Sequence, residues 1–244
     1  SPWWRVGGLF LLGLSLGWLT NAAFHAISPL YARDRAATLN LAGAFFGLGC
    51  LLVVILVAGA FYVYTVPSIL VLLALIPGFF AGSFAKSRFS AAPPPPQPTL
   101  REAFNDFKSP GALVFSVLLF IQFGNEWALA GWLPLLLVQR LGASPAVALK
   151  ILSVYWLALL IGRVALQPVL PRVRHGRLLF LSTLSALFGC AILYFTRNLF
   201  GAASGVLFVG AGFAPIYPVV AEMIGDRFPY YHPGFFNGIF SWGS

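Results

Sequence analysis

Charge is scarce in this sequence: of 244 residues only 9% are Asp, Glu, Lys or Arg, and only 6 are acidic. A soluble domain of that length must cover its outside with charged and polar side chains, so the composition excludes water as the main solvent. Cysteine is nearly missing as well. Cys50 and Cys190 both lie inside apolar stretches and read as small core residues. No CxxC or HExxH pattern occurs, and His25, His175 and His232 are far apart in sequence, which leaves a metal site without support and gives no reason to expect a cofactor. No clustered nucleophile is visible either, so an enzyme is not expected. Strict alternation over ten-residue segments is absent, which argues against a membrane β-barrel. The 15 Lys and Arg give a formal net charge of +9. No basic stripe interleaves with exposed aromatics, however, and nucleic acid is not an expected partner. The chain lacks an initiator Met, starts nearly inside a hydrophobic run and stops, at FFNGIFSWGS, part-way through another; it reads as a piece of a longer protein, not as one with a signal peptide.

What the sequence has is hydrocarbon. Hydrophobic residues make up 59% of it and the mean hydropathy is +0.88. The charges fall mostly between apolar runs, each close to the roughly 20 residues that a helix needs to cross a bilayer core. Spans are expected at Val6–Ser28, Thr38–Tyr62, Thr65–Ala85, Gly111–Val138, Ile151–Leu170, Leu178–Thr196 and Leu199–Ala221, with a last one opening near Gly234. Glycines inside them do not argue against helix, because lipid forces the backbone to satisfy itself and small residues let helices approach. The expected fold class is therefore an all-α membrane protein. One long polar stretch, AAPPPPQPTLREAFNDFKSPG, interrupts it. Pro93 to Pro98 favour extended polyproline II, and Thr99 with Glu102 has the form of a capping box opening a short amphipathic helix on the membrane surface.

Loop charges give an orientation. Arg33, Arg35, Lys86, Arg88, Arg101, Lys108, Arg172, Arg174, Arg177 and Arg227 fall on one side, and Arg5, Arg140, Lys150 and Arg197 on the other. The richer side is expected in the cytosol, which places the proline-rich linker there. A weak internal echo accompanies this. ARDRAATLNLAGAFFGLG and GDRFPYYHPGFFNGIFSWG share a DR pair and an FF pair, each expected at a cytoplasmic turn on either side of the linker, as in two structurally repeated halves.

These residues resemble a known family. GLFLLGLSLGWLTNAAFHAISPLYARDRAATLNLAGAFFGLGCLL is similar to the fourth and fifth helices of fucose-permease-like members of the major facilitator superfamily. FIQFGNEWALAGWLPLLLVQRLGASPAVALKILSVYWLALLIGR looks like helices seven and eight, with Gly124 and Glu126 in a GxE position and Gly162 and Arg163 in a GR position. GAGFAPIYPVVAEMIGDRFP resembles helix ten, with its Pro-aromatic-Pro turn at Pro215 to Pro218. The resemblance implies the major facilitator fold of two six-helix halves, of which this chain would carry helices four to ten and part of eleven. Residues 1–90 would be the later part of the N-terminal half, 91–110 the cytosolic linker and 111–244 a C-terminal half. It implies a multi-pass protein of the plasma (inner) membrane, a monomer when complete, that moves a small solute such as a sugar. The fucose permeases have a carboxylate in the fourth helix, whereas here no Asp or Glu precedes Asp34, so coupling at that position does not carry over.

In alternating-access transporters the solute binds at the bilayer midplane, so polar and aromatic residues at mid-span are the candidates. Gln122, Asn125, Glu126, Leu129 and Trp132 fall on one side of a helix. Glu126 lies about midway along its span, where an ionised carboxylate is costly unless hydrated, paired or protonated; it is the candidate for proton coupling or solute contact, and packing alone is the alternative. Trp156 and Arg163 share a face of the next span, beside Tyr155. Arg163 can pair with a carboxylate or solute, or snorkel to the headgroups. Asn21 with His25, Asn40, Tyr217 and Asn237 complete the set, each also able to serve as interhelical glue. Aromatic faces, amides and a carboxylate suit a polyhydroxylated solute, with protons as a possible coupling ion. A drug or organic-ion exporter, and a non-transporting receptor of transporter fold, share the same pattern.

Overall fold

The computed structural model describes residues 2–27, 35–87, 109–166, 168 and 172–227. Among them every regular element is a helix: α1 (Pro2–Ile27), α2 (Arg35–Ala60), α3 (Val66–Lys86), α4 (Pro110–Leu141), α5 (Pro145–Leu166), α6 (His175–Phe195), α7 (Leu199–Phe213) and α8 (Ile216–Arg227). Six stretches of the described residues are long and apolar enough to cross a membrane: Leu41–Ala60, Val66–Lys86, Pro110–Leu141, Pro145–Leu166, His175–Phe195 and Leu199–Ile224. The expected span opening near Gly234, and most of the linker, lie outside the described residues.

The helix starts follow local chemistry. Ser109 stands ahead of Pro110 in extended conformation at the head of α4, and Thr65 precedes a first turn that contains Pro67. Proline is suited to a first turn because the N–H it lacks has no intrahelical partner there. Asn198 opens α7, its Oδ1 accepting from the Gly201 N–H at 2.7 Å. α4 ends at Gly142, whose φ of 65° is the left-handed conformation that glycine adopts freely. Pro77 in α3 and Pro134 in α4 stay within continuous helix. Pro215 does not: it lies in the turn that separates α7 from α8, so the Pro-aromatic-Pro motif marks a break in one 26-residue apolar span.

Two boundaries differ clearly from the sequence expectation, one being the end of α8, which runs to Arg227 and not to Ala221. The span expected from Ile151 starts six residues earlier, at Pro145, because Ser144 and Pro145 form a helix head whose Oγ accepts from the Val147 N–H at 3.4 Å. The expected 140–150 loop is thus a tight turn, and Lys150 belongs to the helix.

Packing separates buried from lipid-like surfaces. Side chains fully closed off from solvent cluster on α5, α7 and α8, among them Tyr155, Leu159, Val206, Val209, Val219 and Val220. Along α1 no described side chain is buried, and along α3 only Ile69 is. Trp3, Trp4 and Phe200 are more than four-fifths exposed, at 81%, 84% and 83%. In water such a surface would drive association; against hydrocarbon chains it costs nothing. α6 and α7 meet through glycine. A Cβ on Gly189 would lie 2.5 Å from the Gly205 carbonyl oxygen, and one on Gly205 would lie 2.9 Å from that of Gly189, so the backbones touch directly.

Two groups of contacts show which helix ends share a membrane face. The Lys150 ammonium donates to the Tyr62 hydroxyl at 3.2 Å, and the Arg140 guanidinium donates to the carbonyls of Leu193, at 3.3 Å, and Tyr194. The C-terminal ends of α2, α4 and α6 therefore lie together. At the opposite face His175, opening α6, meets Glu222 of α8 with Nε2 and Oε2 3.1 Å apart. α2 and α5, far apart in sequence, pack along one another and form the seam across which residues 35–60 meet the later helices.

Candidate functional site

Helical spacing places Gln122 and Glu126 one turn apart on α4, and both are buried, at 4% and 5% exposure. Gln122 Nε2 donates to Glu126 Oε1 at 2.8 Å. Arg163 reaches the same carboxylate from α5, Nη2 standing 3.8 Å from Oε1, and is itself 3% exposed. Its Nη1 donates to the backbone carbonyl of Gly43 on α2 at 2.8 Å, and its Cζ lies 5.7 Å from the centre of the Tyr217 ring on α8. An isolated charge in this setting would cost several kcal/mol; pairing, an amide, a carbonyl and a ring face together make it tolerable.

Aromatic side chains pack together where α2, α4 and α5 approach one another. Phe46 of α2 sits edge-on to Trp127 of α4, with centroids 6.3 Å apart, and to Trp156 of α5 at 6.1 Å. These rings line a cleft of about 530 Å³ together with Cys50, Gly131 and Leu152. Tyr155 packs edge-on to Trp156 and Phe213, fully buried, and its hydroxyl has no hydrogen-bond partner among the described residues. A larger cleft, of about 1020 Å³, opens between α4 and α6 and is lined mostly by Leu and Val. No trio of His, Cys, Asp or Glu able to hold a metal ion occurs among the described residues.

Of the residues singled out in the sequence, Gln122, Glu126 and Tyr217 come together around Arg163, whereas Trp156 packs against Tyr155 and Phe46. Asn125 and Trp132 are exposed instead and line the larger cleft, as does half-buried Leu129. The α4 stripe therefore divides: Glu126 meets α5, Asn125 and Trp132 face α6, and buried Gln122 both bonds Glu126 and lines the larger cleft. Arg163, for which pairing and snorkelling both stood open, is buried and paired. The side chains of Asn21, His25 and Asn40, and all of Asn237, lie outside the described residues. Gly43, Phe46, Cys50 and Trp127 were not foreseen. A signal existed: Gly43, Phe46, Gly47 and Cys50 recur at helical spacing and make one small-and-aromatic face of α2.

No curated protein and no solved structure gives a significant match to the chain. The sequence profile of the Major Facilitator Superfamily matches residues 1–244. Together with the helical architecture and six membrane-crossing stretches, this match shows that the chain belongs to the Major Facilitator Superfamily of membrane transporters and is an integral, multi-pass membrane protein.

Proposed function

We propose that the chain is part of a secondary active transporter that moves a small polar organic solute by alternating access. Its two helical halves are residues 1–90 and 111–244, joined by the cytosolic linker 91–110, in the plasma (inner) membrane. One observation supports this reading above others: the buried Gln122, Glu126 and Arg163 lie where α2 meets α4 and α5. A charge pair kept at a seam between helices, at the expense of an apolar core, fits a site that must reorganise between states. A sugar is the preferred solute class, in line with the fucose-permease-like motifs. Amides and a carboxylate bond hydroxyls, and the faces of Trp156, Trp127 and Phe46 pack on apolar sugar faces. Glu126 is the group proposed to carry the coupling proton.

The test is flux. The protein expressed from its complete reading frame is reconstituted in liposomes and offered labelled monosaccharides with and without an imposed pH gradient. Uptake that the gradient accelerates, and that Glu126→Gln uncouples while leaving exchange, is the expected result. Absence of flux for every sugar sinks the sugar reading. One observation favours a second reading, export of a lipophilic organic cation: the smaller cleft is lined by Phe46, Trp127 and Trp156 and by no amide, hydroxyl or charged side chain. Labelled lipophilic cations in the same vesicles separate the two, and flux of neither supports a non-transporting receptor.

A further inference from the structure

Gly43 and Arg163 stand 120 residues apart, on opposite sides of the linker, yet the guanidinium of one donates to the carbonyl of the other. This seat of the guanidinium needs the space that glycine leaves. A Cβ on Gly43 would lie 2.5 Å from Arg163 Nη1 and 3.2 Å from Cζ, so any other side chain there displaces the guanidinium from this position. At Gly47, one turn along the same face, a Cβ would meet Leu159 Cδ2 at 3.5 Å, an ordinary contact. The notch is thus specific to position 43.

The same guanidinium faces the Glu126 carboxylate through Nη2. Guanidinium is a rigid planar fork, so its two ends cannot reorient independently. We infer that Arg163 is a latch between the two halves, seated in the notch at Gly43 and held there by the negative charge of Glu126. This rests on the reading that the halves move relative to one another. The titratable side chains that face Glu126 are Arg163 and Tyr155 from α5 and Cys50 from α2, and the Tyr217 ring of α8 lies under the guanidinium. Arg163 is the one fixed positive charge among them. When Glu126 loses its charge, the buried guanidinium loses its counter-ion. Separating α2 from α5 then lets water reach it, at lower cost than keeping it dry. Neutralising one carboxylate would in this way open the seam.

Distance measurement tests the latch without using transport. In the complete protein, with Cys50 and Cys190 replaced by Ala, nitroxide labels at the exposed positions Leu41 of α2 and Val164 of α5 report the seam in lipid nanodiscs. Glu126→Gln and Gly43→Ala should each raise the ratio of long to short distances about tenfold or more, the effect expected from losing a hydrogen bond to a charged group. Arg163→Lys adds no bulk but cannot fork, and should open the seam as well. Gly47→Ala should leave the distances unchanged. Parent-like distances in Gly43→Ala or Arg163→Lys overturn the latch, as does equal opening in Gly47→Ala; parent-like distances in Glu126→Gln overturn the role of its charge. Transport with unchanged distances in every variant sinks the latch alone, whereas shifted distances without transport sink the proposed function alone.

Discussion

Arg163 illustrates why a lone residue in a membrane sequence is hard to interpret. Near the end of an apolar span, an arginine can snorkel or pair, and its own neighbours do not choose between these outcomes. The choice is made by Glu126 on α4 and Gly43 on α2, neither of which adjoins it in sequence. Glu126 was easier to find, because mid-span position alone makes a carboxylate conspicuous. Gly43 carries no such mark. Its importance comes from what approaches it, and only the fold shows that. The pairing leads to a stability prediction. Replacing Arg163 with Met leaves the Glu126 carboxylate buried without its partner and should destabilise the protein by about 3–5 kcal/mol. Adding Glu126→Gln to Arg163→Met removes the stranded charge and should recover most of that loss. Thermal unfolding of the purified protein in mild detergent measures both, and a double variant no more stable than the single would show that the loss does not come from a stranded Glu126 charge.

At the scale of elements, the spans were legible because hydrocarbon imposes a length of uninterrupted apolar sequence, and seven expected runs coincide with helical segments here. Ends were less legible. Lys150 read as a loop charge, yet it lies on α5, where its long side chain reaches the Tyr62 hydroxyl; Ser144 and Pro145 were the better guide to where that helix begins. Close helix approach was anticipated from glycine content but not located. The reciprocal contact of Gly189 and Gly205 locates it, and Gly189→Leu must push α6 away from α7. That substitution should cost about 1–3 kcal/mol or more, lowering the detergent melting temperature, while Gly7→Leu on α1, where no neighbour lies within 4 Å, should leave it unchanged. Arg140 of α4 offers a gentler test at the C-terminal end of α6. Its guanidinium donates to the last carbonyls of α6. Arg140→Ala should cost about 1 kcal/mol, the scale of a helix cap, in the same melting experiment; an unchanged melting temperature would show that those carbonyls find water instead.

For the whole molecule, the contacts already say which helix ends share a face: Tyr62 with Lys150, and Arg140 with the end of α6. Which face is cytosolic follows from charge. The face with Lys150 and Arg140 carries few basic residues, whereas Lys86, Arg172, Arg174 and Arg177 mark the opposite ends of the helices. By the positive-inside rule we expect the second face, and the linker with it, to be cytosolic. The two native cysteines are first replaced by Ala, and single cysteines are then introduced at Ser144, in the tight turn between α4 and α5, and at Pro95. A membrane-impermeant maleimide applied to intact cells should label position 144 and reach position 95 only after permeabilisation. The reverse pattern would invert the orientation, because every described helix turns over together. Labelling at both positions in intact cells cannot be reconciled with the helix order, since Pro95 follows α3 and Ser144 follows α4. An odd number of crossings between them requires opposite sides, so that result would mean that α4, despite its 32 residues, does not cross the membrane.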